Sequence, residues 1–113
     1  MNEELKKILT PLKVNDNFID VAHIKYKGNK KTYVTWALLT EEAALSYDDE
    51  IQYSLVSVDI DIYSDSNYLD IMKEIKNIMK KNEWNWIEDS PEMYEEDTGL
   101  YHRTSTFEKE RKI

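Results

Sequence analysis

The run from Ile51 to Tyr63 alternates apolar and polar side chains almost without a break, and it constrains the fold more than any other part of the chain. Successive side chains of a strand point to opposite faces. Val56, Val58, Ile60 and Ile62 therefore share one face, and Leu55, Ser57, Asp59 and Asp61 the other. Such a strand packs one face on a core and turns the other to water or a partner. Its apolar face needs a second layer, and the following residues provide one. Ser64-Asp65-Ser66-Asn67 can cap a helix start. Tyr68, Met72, Ile75 and Met79 recur at helical spacing, with Ile71 and Ile78 widening the stripe, so a helix is expected to about Lys81. Lys76, Lys80 and Lys81 suit the negative end of its dipole.

The remaining segments read in the same way. Leu5, Ile8, Leu9 and Leu12 predict a first helix capped by Asn2 and ended or kinked by Pro11. Val21–Lys27 and Thr32–Thr40 read as strands joined by a hairpin loop, Gly28-Asn29-Lys30-Lys31. Glu41 to Asp49 reads as an irregular acidic connection, in which Glu41-Glu42-Ala43-Ala44-Leu45 could form a helical turn. Glu83–Glu88 alternates again, with Trp84 and Trp86 on one face. Pro91 and an acidic turn follow, then a last strand, Leu100–Glu108, and a frayed charged tail, Lys109–Ile113. The order α-β-β-β-α-β-β predicts an α+β fold: a mostly antiparallel, mixed sheet of about five strands with two helices packed on one face. At 113 residues, one domain spanning 1–113 is the natural reading.

Composition narrows the function. The formal net charge of −8 argues against a general grip on nucleic-acid phosphates, which takes lysine and arginine. It also disfavours a membrane surface, and no apolar run approaches the roughly 20 residues of a bilayer span. Met1-Asn2-Glu3-Glu4 lacks the basic-then-apolar pattern of a signal peptide. With no cysteine, disulfides and thiolate metal sites are excluded, in keeping with synthesis in the cytoplasm. Eight tyrosines and three tryptophans are many for so charged a chain. Such residues serve interfaces, where one end of the side chain is dry and the other wet, or they fill the faces of a small sheet.

Chemistry is sparse. Asp59 and Asp61 share a strand face about 7 Å apart, but no third ligand accompanies them and a hard cation takes six or more oxygens. His23 and His102 fall in separate strands without metal-ligand spacing. Gly28 and Gly99 are the only glycines, so no glycine-rich phosphate loop exists, and no serine or threonine stands in a nucleophile elbow. No catalytic, metal or cofactor site is expected. The acidic cluster Glu88-Asp89 and Glu92 to Asp97 is either a solvated loop or a surface that meets basic residues of a neighbour. An acidic inhibitor or antitoxin that mimics nucleic acid would need its carboxylates along one exposed ridge.

The wording of Tyr94-Glu95-Glu96-Asp97-Thr98-Gly99-Leu100-Tyr101-His102-Arg103 is more specific. It resembles the C-terminal signature of the tail terminator, or tail-completion, proteins of long-tailed bacteriophages and prophages: an acidic Asp-Thr turn leading into a Leu-Tyr-His strand and a basic residue. Tyr26-Lys27-Gly28 followed by Tyr33-Val34-Thr35-Trp36 resembles the family's first hairpin, with Trp36 where a smaller aromatic is usual. Asp48-Asp49-Glu50 leading to Val58-Asp59-Ile60-Asp61-Ile62-Tyr63 resembles its long third strand. Arg103-Thr104-Ser105-Thr106 is more polar than the family pattern. The resemblance spans roughly residues 12 to 108. It implies a virion protein of the tail and neck, assembled in the host cytoplasm. It implies a ring, hexameric in the family, that caps the head-proximal end of the tail tube. The expected partners are further copies of the chain, the tail tube protein and the head–tail connector or stopper, with genomic DNA only passing through the lumen. A different neck component, or the cap of a headless contractile bacteriocin, would share most of these features. Trp36, Asp59, Asp61, Tyr94, Glu95, Asp97, Thr98, Gly99, Tyr101, His102 and Arg103 are the candidate interface or motif residues. His102 is expected to bond the preceding acidic turn.

Overall fold

The computed structural model describes residues 2–45 and 51–112. The chain forms α1 (Asn2–Leu9), β1 (Leu12–Val14), β2 (Asn17–His23), β3 (Tyr33–Leu45), β4 (Ile51–Ser64), α2 (Leu69–Lys81), β5 (Asn85–Asp89), β6 (Met93–Glu95) and β7 (Leu100–Lys112). It is an α+β fold, a mixed sheet ordered β1-β2-β3-β4-β7-β5, with β6 also paired to β7. The alternating strand β4 lies at its centre, antiparallel to β3 on one side and to β7 on the other.

The alternation sorts the faces as expected. Val56, Val58, Ile60 and Ile62 are completely buried, and they meet Leu5 and Leu9 of α1 and Ile71, Met72, Ile75 and Met79 of α2 in one core. Burying a side chain of this size contributes about 1.5–3 kcal/mol, so this layer holds the two helices to the sheet. Asn67 Oδ1 accepts the Leu69 backbone N–H at 2.9 Å and satisfies one orphan donor at the start of α2. The first helix ends at Leu9, two residues before Pro11.

Three expectations are corrected. The first concerns the hairpin across Gly28. β2 ends at His23, before that loop, and pairs with β3 in parallel, Val21 opposite Val34 and His23 opposite Trp36. The tight turn lies earlier, at Asn15-Asp16, where both residues take positive φ (52° and 66°) and join β1 to β2. Two residues with φ > 0 are what a two-residue hairpin of the right twist demands, and Asn and Asp tolerate that region. Ile24, at φ 65°, then turns the chain sharply, and its N–H is held by the Trp36 carbonyl at 2.9 Å. The segment 24–32 carries the chain back to start β3 beside β2.

Second, Glu41 to Leu45 is strand, not an irregular connection or helical turn. β3 continues past a bulge near Leu39 and pairs with β4, Glu41 opposite Val56 and Ala43 opposite Ser54. Ladder bonds over this length outweigh the weak helical preference of a Glu-Glu-Ala-Ala sequence. The expected connection at residues 46–49, like Asp48-Asp49-Glu50, lies outside the described residues. Third, the tail is not frayed through Lys112: β7 pairs with β4 to its end, Lys109 opposite Val56 and Arg111 opposite Ser54. Lys109 Nζ also bonds Glu4 Oε1 at 2.8 Å and the Asn82 carbonyl at 3.0 Å, tying the tail to both helices. The sheet thus has more strands than expected. The last hairpin gains a short β6, and β5 starts at Asn85, after Glu83 at φ 68° and a buried Trp84.

Candidate interaction surface

The sheet face away from the helices is polar, and strand register decides what meets there. Asp20, Tyr33, Tyr63 and His102 align across β2, β3, β4 and β7, as do Thr35, Asp61 and Thr104 one step along. Tyr26, from the segment after β2, folds over this row. Four rings then stack in series: Tyr26 on Tyr33 at 4.1 Å, Tyr33 on Tyr63 at 4.8 Å and Tyr63 on His102 at 4.2 Å between centroids. Each aromatic pair is worth about 0.5–1.5 kcal/mol beyond the area it buries. The row is a brace across four segments that are far apart in sequence.

Each end of the brace is tied to a carboxylate. Tyr26 Oη donates to Asp20 Oδ2 at 2.8 Å, and Lys30 Nζ donates to Asp20 Oδ1 at 3.2 Å. These donors hold the Asp20 carboxyl below its ordinary range. At the other end Asp61 Oδ1 lies 2.9 Å from His102 Nε2 and accepts the Thr104 hydroxyl at 2.5 Å. Asp59 Oδ1 accepts the Thr106 hydroxyl at 2.6 Å. Burial, then the charges of Asp61 and Glu95, push the Tyr63 phenol up to about 12.

The pair Asp59 and Asp61 is thus half-buried and engaged in cross-strand bonds, not freely solvated. His102 bonds β4, not the acidic turn before it. Among the described residues, no group of three or more His, Cys, Asp or Glu side chains is placed to hold a metal ion. Trp36 lies apart from the other motif residues. It is 3% exposed, sits among the core side chains and stacks on His23 at 4.1 Å, so it is a core residue.

The Tyr94–Arg103 segment forms the β6–β7 hairpin. Tyr94 pairs with Tyr101 and Glu95 with Leu100. The Gly99 N–H bonds the Glu95 carbonyl at 2.8 Å, and Gly99 takes φ 72°. The Thr98 hydroxyl bonds Glu95 Oε1 and the Leu100 N–H, both at 3.3 Å. Tyr94 and Asp97 are exposed. Past the turn, Leu100 and His102 fall on the polar side of the sheet and Tyr101 and Arg103 on the helix side. Arg103 Nε donates to the Ser90 carbonyl at 2.8 Å, and its guanidinium lies 5.8 Å from the centre of the Tyr68 ring. Arg103 therefore anchors the hairpin to the start of α2.

Asp89 fits neither alternative that the sequence offers for the acidic cluster, a solvated loop or a surface that meets a neighbour. Its carboxylate accepts Lys76 Nζ at 2.7 Å, Ser105 Oγ at 2.7 Å and Trp86 Nε1 at 3.0 Å, joining α2, β5 and β7. Burial pushes its carboxyl up, but the three donors outweigh burial and hold it below the ordinary range. Strict alternation would set Trp86 and Asp89 on opposite faces of β5; a bulge between Trp86 and Glu88 turns both to the face of Phe107 and Ser105, and the fold brings Lys76 to them. The tyrosine row was likewise missed. Its one sequence signal was that Tyr33 opens one strand and Tyr63 closes the next, which antiparallel pairing sets opposite each other.

No protein-family model matches the chain, and no curated protein matches it.

Proposed function

We propose that this chain is a structural protein of a phage-like tail, a terminator that caps the head-proximal end of the tail tube as a ring. The observation that carries this reading is the Tyr94–Arg103 segment, whose sequence of residue types resembles the family signature. Its local physics supports an assembly role. The turn is held by backbone and side-chain bonds, so its exposed acidic and aromatic groups are presented in one arrangement, which lowers the ordering cost of a contact.

Capping follows from complementarity. One face of the ring binds the last tube ring as a tube subunit would. The opposite face lacks the groups that accept another tube ring, so polymerisation stops there and a head connector docks instead. DNA passes through the lumen without being gripped, which the acidic balance favours.

Deleting the gene in a producing prophage tests the reading. Tubes of uncontrolled length, or tails that never join heads, are expected. Particles of normal length and infectivity would overturn it. Electron microscopy of the purified protein mixed with tail tubes should show rings seated at one tube end.

A further inference from the structure

The two lateral edges of the sheet carry opposite charge, and each has apolar side chains standing in solvent. At the first edge lie β1, β2 and the segment that follows. Residues 12–31 hold five lysines against two aspartates, in a chain whose net charge is −8. Lys25, Lys27 and Lys31 are exposed, and among the described residues no carboxylate lies within ion-pair distance of them. Beside them Phe18 and Ile24 are 62% and 67% exposed. The other edge is β5 and β6, the strands on the outer side of β7. Residues 83–97 hold seven carboxylates and no lysine or arginine, and of the seven only Asp89 has an ion-pair partner among the described residues, Lys76 of α2. There Trp86, Ile87, Met93 and Tyr94 are each at least 46% exposed.

We infer that the basic edge of one copy docks on the acidic edge of the next, so that the chain associates with itself side by side and head to tail. An apolar patch rimmed by polar groups is the usual anatomy of a contact surface. The charges decide which surfaces meet. A two-fold contact between equal edges would set lysines against lysines or carboxylates against carboxylates. Only unlike edges attract, and a contact between unlike surfaces is heterologous: repeated, it closes into a ring or runs on as a filament. The β6–β7 hairpin supplies one side, with Glu92, Glu96 and Asp97 around Met93 and Tyr94. The segment after β2 supplies the other, with Lys25, Lys27 and Lys31 exposed in the same stretch as Ile24. The tyrosine row crosses the sheet between them, from the segment after β2 to β7. The inference deepens the ring reading but rests on charge and exposure, and self-association that ignores tube ends would sink that reading alone.

A charge-swap experiment tests it. One variant carries Lys25→Glu, Lys27→Glu and Lys31→Glu, which makes both edges acidic. A second carries Glu92→Lys, Glu96→Lys and Asp97→Lys, which turns the acidic edge toward basic. All six positions are exposed, and thermal melts matching the wild type establish that both variants fold. In sedimentation at low salt the wild type is expected to self-associate. Raising salt from about 0.05 M to about 0.5 M should weaken that association about tenfold or more, because the contact is screened. Each variant alone should stay monomeric at concentrations where the wild type assembles, and an equimolar mixture of the two should assemble again. A wild type that stays monomeric at low salt, either folded variant assembling alone as the wild type does, or a folded mixture that fails to recover would overturn the inference.

Discussion

His102 of β7 sits ring-to-ring with Tyr63 of β4, 4.2 Å between centroids, while its Nε2 lies 2.9 Å from Asp61 Oδ1 two residues earlier on the same β4 strand. One imidazole thus ends the aromatic row and ties it to the carboxylate that also accepts Thr104. Asp61→Ala leaves both His102 and Thr104 without that acceptor in a half-buried setting, a loss of about 1–3 kcal/mol. Asp61→Asn keeps an acceptor oxygen and should lose less. Urea denaturation of the two variants checks the order, and equal midpoints would show that the bonds contribute nothing.

The Tyr63 phenol, pushed up to about 12, gives stability a dependence on alkaline pH. A raised folded-state pKa means the contribution is intact below the unfolded value, about 10, and is lost as pH rises toward 12. Tyr63→Phe keeps the ring in the stack and removes the ionisation. Its melting temperature should match the wild type at neutral pH and fall less steeply above pH 10. Parallel curves throughout would contradict the assignment.

Asp89 works in the opposite direction. Its carboxyl is held low by Lys76, Ser105 and Trp86 against the effect of burial. Its contribution is therefore present above the unfolded value, about 4, and is lost as pH falls through the folded one. Asp89→Asn should be less stable than the wild type at pH 7, by about 1.5–3 kcal/mol for bonds to a charged group. The gap should narrow below about pH 4. A gap that persists unchanged in acid would mean that packing, not charge, is what Asp89 supplies.

Gly99 is the position where backbone angle matters most in the motif. At φ 72° a side chain is disfavoured, although a Cβ there would meet only Tyr94 Oη at 3.7 Å. The penalty is conformational and not a clash. Gly99→Val should cost about 1–2 kcal/mol, with Gly99→Asn costing less because Asn tolerates this region. Glu95→Gln, at an exposed carboxylate with one 3.3 Å side-chain bond, should change melting little. Equal melting of Gly99→Val and Glu95→Gln would show that the turn is not a structural corner.

What could be read from local pattern was whatever a period carries. The alternation of Ile51–Tyr63 predicts the central strand and both of its faces, and the stripe from Tyr68 to Met79 predicts the helix that covers it. The two periods differ, and burial follows them directly. The α+β class and the single layer of helices follow from the same reading.

Pairing direction and partners did not follow, because they depend on residues far apart in the chain. Whether Tyr33–Leu45 runs parallel or antiparallel to the strand before it is settled by a sharp turn at Ile24, and by β4 claiming the other side of β3. Glu41–Leu45 and Lys109–Lys112 look like loop and tail alone, and become strand only because β4 is long enough to pair with both. The acid at Asp89 became an anchor in the same way, through Lys76 and Ser105 brought to it from elsewhere. The residue types of the tyrosine row, the turn glycine and the two charged edges were already set by the amino-acid order. Only the tertiary structure stacked the rings and put lysines and carboxylates on opposite sides of one sheet, since strand order is decided by long-range hydrogen-bond ladders that no local period encodes.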